Sequence, residues 1–124
     1  MDVSIYGDRD LVEVVLTGPV GAEEFLAGFQ RMLGLPDFRP GQNILVDMRA
    51  HVHQADSEDM RTIAEAFLEA GEAVGRADIA VVVARPVSYG LLRMLQAYID
   101  GAPFRFSVYY SLEEAKSSLG LVQP

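Results

Sequence analysis

The segment that decides the fold is IAVVVARP, from Ile79 to Pro86. Every residue from Ile79 to Ala84 is apolar, and Arg85-Pro86 follows directly. A short apolar run rich in β-branched valine and closed by a proline is typical of a strand that is buried on both faces. We therefore expect this strand to lie in the interior of a sheet.

Strands and helices alternate on both sides of this segment. A second apolar run, Ile44 to Met48, precedes it, and a strand from Arg105 to Tyr110 follows it. Apolar residues at helical spacing predict four helices. The first begins at Ala22, the third runs from Ser88 to Asp100, and the fourth runs from Leu112 to Leu119. The second carries an apolar stripe that includes Met60, Ile63, Ala64, Phe67, Leu68 and Val74.

Two antiparallel strands precede this alternation. Val3 to Tyr6 and Leu11 to Thr17 flank the turn-rich Gly7-Asp8-Arg9-Asp10, and Gly18-Pro19 is expected to end the hairpin. The full order is ββαβαβαβα. It predicts a single α/β domain over 1–124, with a mostly parallel sheet, an antiparallel edge hairpin and flanking helices.

Composition narrows the classes of function. The 124 residues carry a formal net charge of -8, and there is no cysteine. An acidic chain without a basic cluster is repelled by phosphate backbones, so nucleic acid is not expected as a partner. The amino-terminal MDVSIYGDRD resembles no secretion signal, and no run is long enough for a spanning helix. We expect a cytoplasmic protein.

Polar residues follow the two buried strands at the ends where ligands collect in open α/β sheets. Asp47, Arg49, Arg85, Ser57 and Ser88 are expected to share this rim. Asp47 with Arg49 is most simply a local ion pair.

The start of the second helix has two interpretations. Asp56 or Ser57 is suited to cap this helix, with Asp59 completing a capping box. We predict that Ser57 is the cap and is not a phosphoacceptor.

His51 and His53 have two interpretations. They are two solvated loop histidines, or they bind a metal with Asp47 or Asp56. We favour the first and predict no metal and no cofactor. No nucleophile elbow, P-loop or dinucleotide fingerprint occurs, so an enzyme is not expected unless Asp47 and His53 converge.

The segment Arg85-Pro86-Val87-Ser88-Tyr89-Gly90 is open to two interpretations as well. An arginine and a hydroxyl at a helix start suit an anion cradle. Alternatively, Ser88 caps the helix and Arg85 pairs with a neighbouring carboxylate, which we favour.

The helix from Ser88 to Asp100 has an unusually wide apolar arc. The arc covers about 160°, against the roughly 100° that a half-buried helix needs. Either the helix is deeply buried, or it is a mobile lid over an apolar pocket or a partner. The predicted ligand-binding residues are Leu91, Leu92, Met94, Leu95 and Tyr98, together with Arg85, Ser88 and Tyr89.

Three segments resemble a known family. The strand ILVDMR, the helix after DSEDM and the terminal FSVYYSLEEAKSSL are similar to the STAS superfamily, the fold of anti-anti-sigma factors, and more closely to its SpoIIAA-like group of small bacterial proteins. In anti-anti-sigma factors the serine after the aspartate is phosphorylated by a partner kinase. Asp56-Ser57 matches that pair, whereas Glu58-Asp59 departs from the Ser/Thr-Gly that follows it.

The SpoIIAA-like group is often placed with the CRAL-TRIO lipid carriers. That resemblance implies an apolar ligand and transient membrane association through the helix near 88–100. The leading expectation is therefore a non-enzymatic binding domain for an apolar small molecule or lipid. The alternative is a protein-interaction module regulated at Ser57 with Asp47 and Asp56 nearby. A protein partner, including a second copy of this chain, stays open.

Overall fold

The structure is a computed structural model that describes residues 1–53 and 55–121, without the side chain of His53. The described strands are β1 (Asp2–Tyr6), β2 (Leu11–Val20), β3 (Asn43–His53), β4 (Asp78–Val82) and β5 (Arg105–Tyr109). The described α-helices are α1 (Ala22–Leu33), α2 (Ser57–Glu69), α3 (Gly71–Val74), α4 (Pro86–Tyr98) and α5 (Leu112–Ser118), and a 3-10 turn spans Gly7–Arg9.

The strands form a five-stranded sheet in the order β1-β2-β3-β4-β5. β1 and β2 are antiparallel, whereas β2, β3, β4 and β5 run parallel to one another. The predicted α/β architecture, with a mostly parallel sheet and an antiparallel edge hairpin, is confirmed. The segment from Ile79 lies in β4, which is paired on both sides and is therefore an interior strand, as predicted.

The two faces of the sheet are covered unequally. Ile79 and Val81 of β4 belong to a large core that also contains residues of α1, α2 and α4. The alternate residues, Ala80 and Val82, belong to a smaller cluster with Ala115 of α5. We call these the first and the second face of the sheet. Because side chains alternate along a strand, β4 is buried from both sides.

Phe67 of α2 lies at the centre of the large core. Its ring centroid is 4.7 Å from that of Phe29 on α1 and between 6.1 and 6.2 Å from those of Phe25, Phe104 and Phe106. Aromatic pairs at these separations are favourable beyond the area that they bury. The cluster therefore joins α1, α2 and the start of β5.

The predicted end of the hairpin at Gly18-Pro19 is wrong, because β2 continues to Val20. Among the described residues this extension pairs with β3 alone, since β1 pairs with β2 no further than Val15. Beyond Val15 β2 is thus open on one side, and a proline is tolerated in a strand with a free edge. Gly18 has a φ of +69°, which favours glycine at this position.

Two helix boundaries also differ from expectation. α4 begins at Pro86 instead of Ser88, because a proline fits the first turn of a helix, where its missing N–H costs nothing. The stripe predicted from Met60 to Val74 is divided between α2 and α3, and Leu68 is exposed.

The interior position of β4 predicts the effect of a charge there. Val82 is 0% exposed, so Val82→Asp would bury an unpaired carboxylate at a cost of several kcal/mol. Stabilities of single domains are about 5–15 kcal/mol, so we expect this variant not to fold. Val87→Asp is the control, because Val87 is 59% exposed. Circular dichroism melts test both, and a cooperative near-native melt of Val82→Asp would contradict the burial of β4.

Candidate functional site

An apolar cavity lies between the first face of the sheet and the helices that cover it. Its volume is about 70 Å³. β2, β3 and β4 form its floor, and side chains of α1, α2 and α4 form its walls. Among the described residues that line it, His51 is the one whose side chain carries nitrogen or oxygen. Voids larger than a water molecule are few in protein interiors, so this cavity is the main candidate site.

The cavity has a deep end and a mouth. Ile63, Phe67 and Val81 at the deep end are buried in the main core. By contrast, Ala22 at the start of α1 and Ala55 just before α2 are only half-buried. The lining therefore reaches the surface between the start of α1 and the segment that precedes α2.

A bulge in β3 directs His51 toward the cavity. Val15 pairs with Asp47, but Thr17 pairs with Ala50, so β3 contains one residue more than β2 in this interval. Val46 and Met48 line the cavity, and strict alternation from them would put His51 on the second face. The extra residue reverses the alternation, as bulges do, and His51 lines the cavity with 8% of its surface exposed.

The expectation of solvated loop histidines is therefore wrong for His51, which is buried in a strand. The side chain of His53 lies outside the described residues, and with it the hypothesis that Asp47 and His53 converge. In the described part of the chain, no three His, Asp or Glu side chains form a group that could hold a metal ion.

Asp47 and Arg49 form the predicted ion pair. Nε of Arg49 donates to Oδ1 of Asp47 at 3.0 Å, and Nη2 donates to Oδ2 at 2.8 Å. These hydrogen bonds hold the pKa of the Asp47 carboxyl below its ordinary value of 3.8. Asp47 lies between Val46 and Met48 in a regular stretch of β3, so its side chain is on the second face, away from the cavity.

The cap of α2 is Asp56, so the prediction that Ser57 is the cap is wrong. Oδ1 of Asp56 accepts from the Asp59 backbone N–H at 3.0 Å, and Oδ2 of Asp59 accepts from the Asp56 backbone N–H at 2.9 Å. This is a complete capping box. A carboxylate reaches the N3 amide as well as a hydroxyl does and also favours the positive helix end. Ser57 is the first helical residue and is exposed.

The predicted ligand-binding residues of α4 are divided by the structure. Leu92 and Leu95 line the cavity, whereas Leu91 and Met94 are half-buried against the main core. Tyr98 is outside the cavity, with the Arg61 guanidinium of α2 5.5 Å from its ring centroid. α4 packs against both α2 and β5, so its wide apolar arc has two protein neighbours.

The residues that open α4 lie outside the cavity lining. Arg85 is the N-cap position but makes no side-chain cap, and Ser88 is buried in the first turn rather than capping the helix. Tyr89 stacks on Tyr110 with ring centroids 4.7 Å apart, and Nη1 of Arg93 donates to its hydroxyl at 3.3 Å. Sequence reasoning did not include Tyr110, because nothing local links a residue of α4 to the residue that follows β5. Arg93 lies four residues after Tyr89 on the same helix, and this spacing could have indicated their contact.

The five polar residues expected on one rim do not form one site. Strand alternation puts Asp47 and Arg49 on the second face, whereas Ser57 and Ser88 lie in α2 and α4, which cover the first face. A broad groove also lies on the second face, beside α5, and it carries Glu13, Glu113 and Glu114 together with Arg9 and Lys116. Its mixed charges make it a hydrated surface.

Comparison with family models, with curated proteins and with solved structures gives no match for this chain. In the part of the chain that the structure describes, no helix is long and apolar enough to cross a bilayer.

The capping box predicts a difference between two neighbouring substitutions. Asp56→Ala should lower the free energy of unfolding by about 1 kcal/mol, because an N3 amide loses its acceptor. Ser57→Ala should change it by only a few tenths of a kcal/mol, since the hydroxyl of Ser57 makes no cap. Urea unfolding of both variants measures this, and a larger loss for Ser57→Ala would refute the assignment of the cap.

The ion pair on the second face predicts a dependence on pH. The folded-state pKa of Asp47 is depressed, so its stabilisation is present above the ordinary value of 3.8 and is lost as the pH falls below it. Both side chains are partly exposed, so Asp47→Asn should cost about 0.2–1 kcal/mol near neutral pH. The free energies of unfolding of the parent and the variant, measured with urea, should converge in acid. A difference that persists unchanged there would rule out the ion pair as its source.

Proposed function

We propose that this protein is a non-enzymatic binding domain whose apolar cavity holds a small apolar ligand or the end of a larger one. The observation that carries the proposal is a cavity of about 70 Å³ that is lined almost entirely by apolar side chains and reaches the surface beside Ala22 and Ala55. Sites for small molecules are concave and mostly apolar, with few polar groups.

The size of the cavity limits what fits without rearrangement. An apolar cavity of about 150 Å³ holds one benzene molecule, and about 10–15 Å³ suffices for one water. The cavity of this protein lies between these sizes, so a molecule at least as large as benzene, such as n-pentane, fits only with one end in the mouth or with side chains at the mouth displaced. A lipid acyl chain would need side chains of the lining to move, and Met48 and Phe25 are two long side chains of the lining that are only half-buried.

The chemistry of the lining favours an apolar occupant over water. A buried water needs about two to four polar partners, and apolar cavities that lack them stay dry. An apolar ligand that enters a dry cavity gains dispersion contacts without displacing ordered solvent.

A lipid ligand, membrane association through the segment 88–100 and membership of the SpoIIAA-like group are part of the same proposal. Val87 on α4 and Leu68 on α2 are exposed apolar side chains on the helices that cover the first face. The net charge of -8 opposes capture by an anionic bilayer, so any association depends on apolar area and survives high salt.

A second candidate function is a protein-interaction module regulated at Ser57. The observation that favours it is the exposure of this serine at the first position of α2, where the positive helix end stabilises a phosphate. Asp56, Glu58 and Asp59 would repel that phosphate, so we rank this function second. Phosphoserine at position 57 in protein from its native host would reverse the ranking.

The cavity proposal predicts that filling the mouth blocks binding. Ala22 lines the cavity, so Ala22→Leu should occupy the entrance and weaken n-pentane binding at least about tenfold. Ala27→Leu is the matched control, because Ala27 is exposed on the same helix and lies outside the lining. Titrations followed by ¹H–¹³C methyl spectra report the affinity and locate it at Ile63 and Val81.

Two outcomes would contradict this proposal. The parent protein would show no saturable methyl shifts with n-pentane, or the Ala22→Leu and Ala27→Leu variants would bind n-pentane as tightly as the parent does.

A further inference from the structure

We infer that the cavity selects a neutral apolar ligand with one hydroxyl group, such as an alcohol, and that His51 contacts this hydroxyl. The inference rests on the proposed function and adds the chemical class of the ligand. It depends on the position of His51 in the lining and on the charges that flank the mouth.

His51 brings a polar side chain into otherwise apolar surroundings. It lies on the cavity side of β3 because of the bulge before it, and its neighbours in the lining include Met48 and Ala55 near the mouth. A single polar group in an apolar site orients a ligand and sets its specificity. A hydroxyl both donates and accepts, so it is a suitable partner for either ring nitrogen of an imidazole.

The charges at the mouth oppose an anionic ligand. Glu23 and Glu24 follow Ala22 in the first turn of α1, and Asp56 follows Ala55. All three carboxylates are exposed at the two segments that form the entrance. The nearest arginine along β3, Arg49, is already bound to Asp47 on the second face. A ligand carboxylate would therefore meet like charges at the entrance, whereas a neutral ligand would not.

The low polarity of the site strengthens a hydrogen bond to His51. Hydrogen bonds in surroundings of low dielectric constant are electrostatically stronger than those in water. The ligand hydroxyl loses its hydration on entry. The contribution of His51 to the binding free energy is therefore measured by comparing a ligand that has a hydroxyl with one that has none, in the parent protein and in a variant without the imidazole. This comparison cancels the cost of dehydrating the ligand.

The experiment uses three ligands of similar size: n-pentane, 1-butanol and butanoate. Dissociation constants come from methyl titrations of the full chain and of His51→Leu near neutral pH. We expect His51→Leu to weaken the binding of 1-butanol by about tenfold relative to the binding of n-pentane, which corresponds to the loss of one hydrogen bond. Val52→Ala is the control, since Val52 is the next residue of β3 and is 44% exposed. Val52→Ala should leave the ratio of the dissociation constants of 1-butanol and n-pentane unchanged.

A second comparison needs no variant. In the parent protein, 1-butanol should bind more tightly than butanoate at low and at high salt. The inference is overturned if His51→Leu leaves the ratio of the dissociation constants of 1-butanol and n-pentane unchanged. It is also overturned if butanoate binds the parent protein more tightly than 1-butanol does. The cavity proposal stands in both cases. Absence of n-pentane binding in the parent instead overturns the proposed function itself.

Discussion

Burial of β4 on both faces is the constraint on which the rest of this structure depends. Ala80, Val81 and Val82 are almost completely inaccessible to solvent, so each face of the sheet needs a covering layer at this strand. α4 and its neighbours supply one layer, and the short α5 supplies the other, where Ala115 is small enough to pack closely. The backbone of an interior strand is satisfied by pairing on both sides, which is why a run without polar residues is stable there.

The unequal cover also determines where a ligand can enter. Three helices of the first layer extend over the sheet, and the space that they leave lies above β2 and β3, beside the starts of α1 and α2. The bulge in β3 then adds one polar side chain, His51, to an apolar lining. At the opposite edge, Nε2 of Gln96 donates to the Phe106 carbonyl at 2.6 Å, which satisfies one group of the exposed strand β5. That edge is thereby less open to pairing with another chain.

The sequence predicted the parts of the fold that depend on local pattern. The apolar run at Ile79, the helical stripe of α1 and the turn between β1 and β2 each indicate their structure from a few residues. Pro19 did not end β2, because a proline is tolerated where β1 no longer pairs with the strand. Where that pairing ends depends on the register between β1 and β2, which the residues around Pro19 do not reveal. The cap of α2 was assigned one residue too late because aspartate and serine have similar preferences at that position.

The site could be predicted only in part. Leu92 and Leu95 line the cavity, and their spacing marks the inner side of α4, but whether they bind a ligand stays a prediction. The cavity lies closer to α1 than expected, because its position depends on how α1, α2 and the sheet pack together. The position of His51 in the cavity lining could not be predicted, since the bulge that turns it inward appears only in the register of β2 against β3.

The central proposal is that the space between α1, α2 and the sheet is an apolar site that a ligand can enter. A crystal structure determined under xenon pressure tests it most directly, because xenon enters dry apolar cavities of this kind. The account predicts xenon density in contact with Val14, Ile63 and Phe67. Absence of xenon, with the side chains of Phe25 or Met48 filling the space, would contradict it.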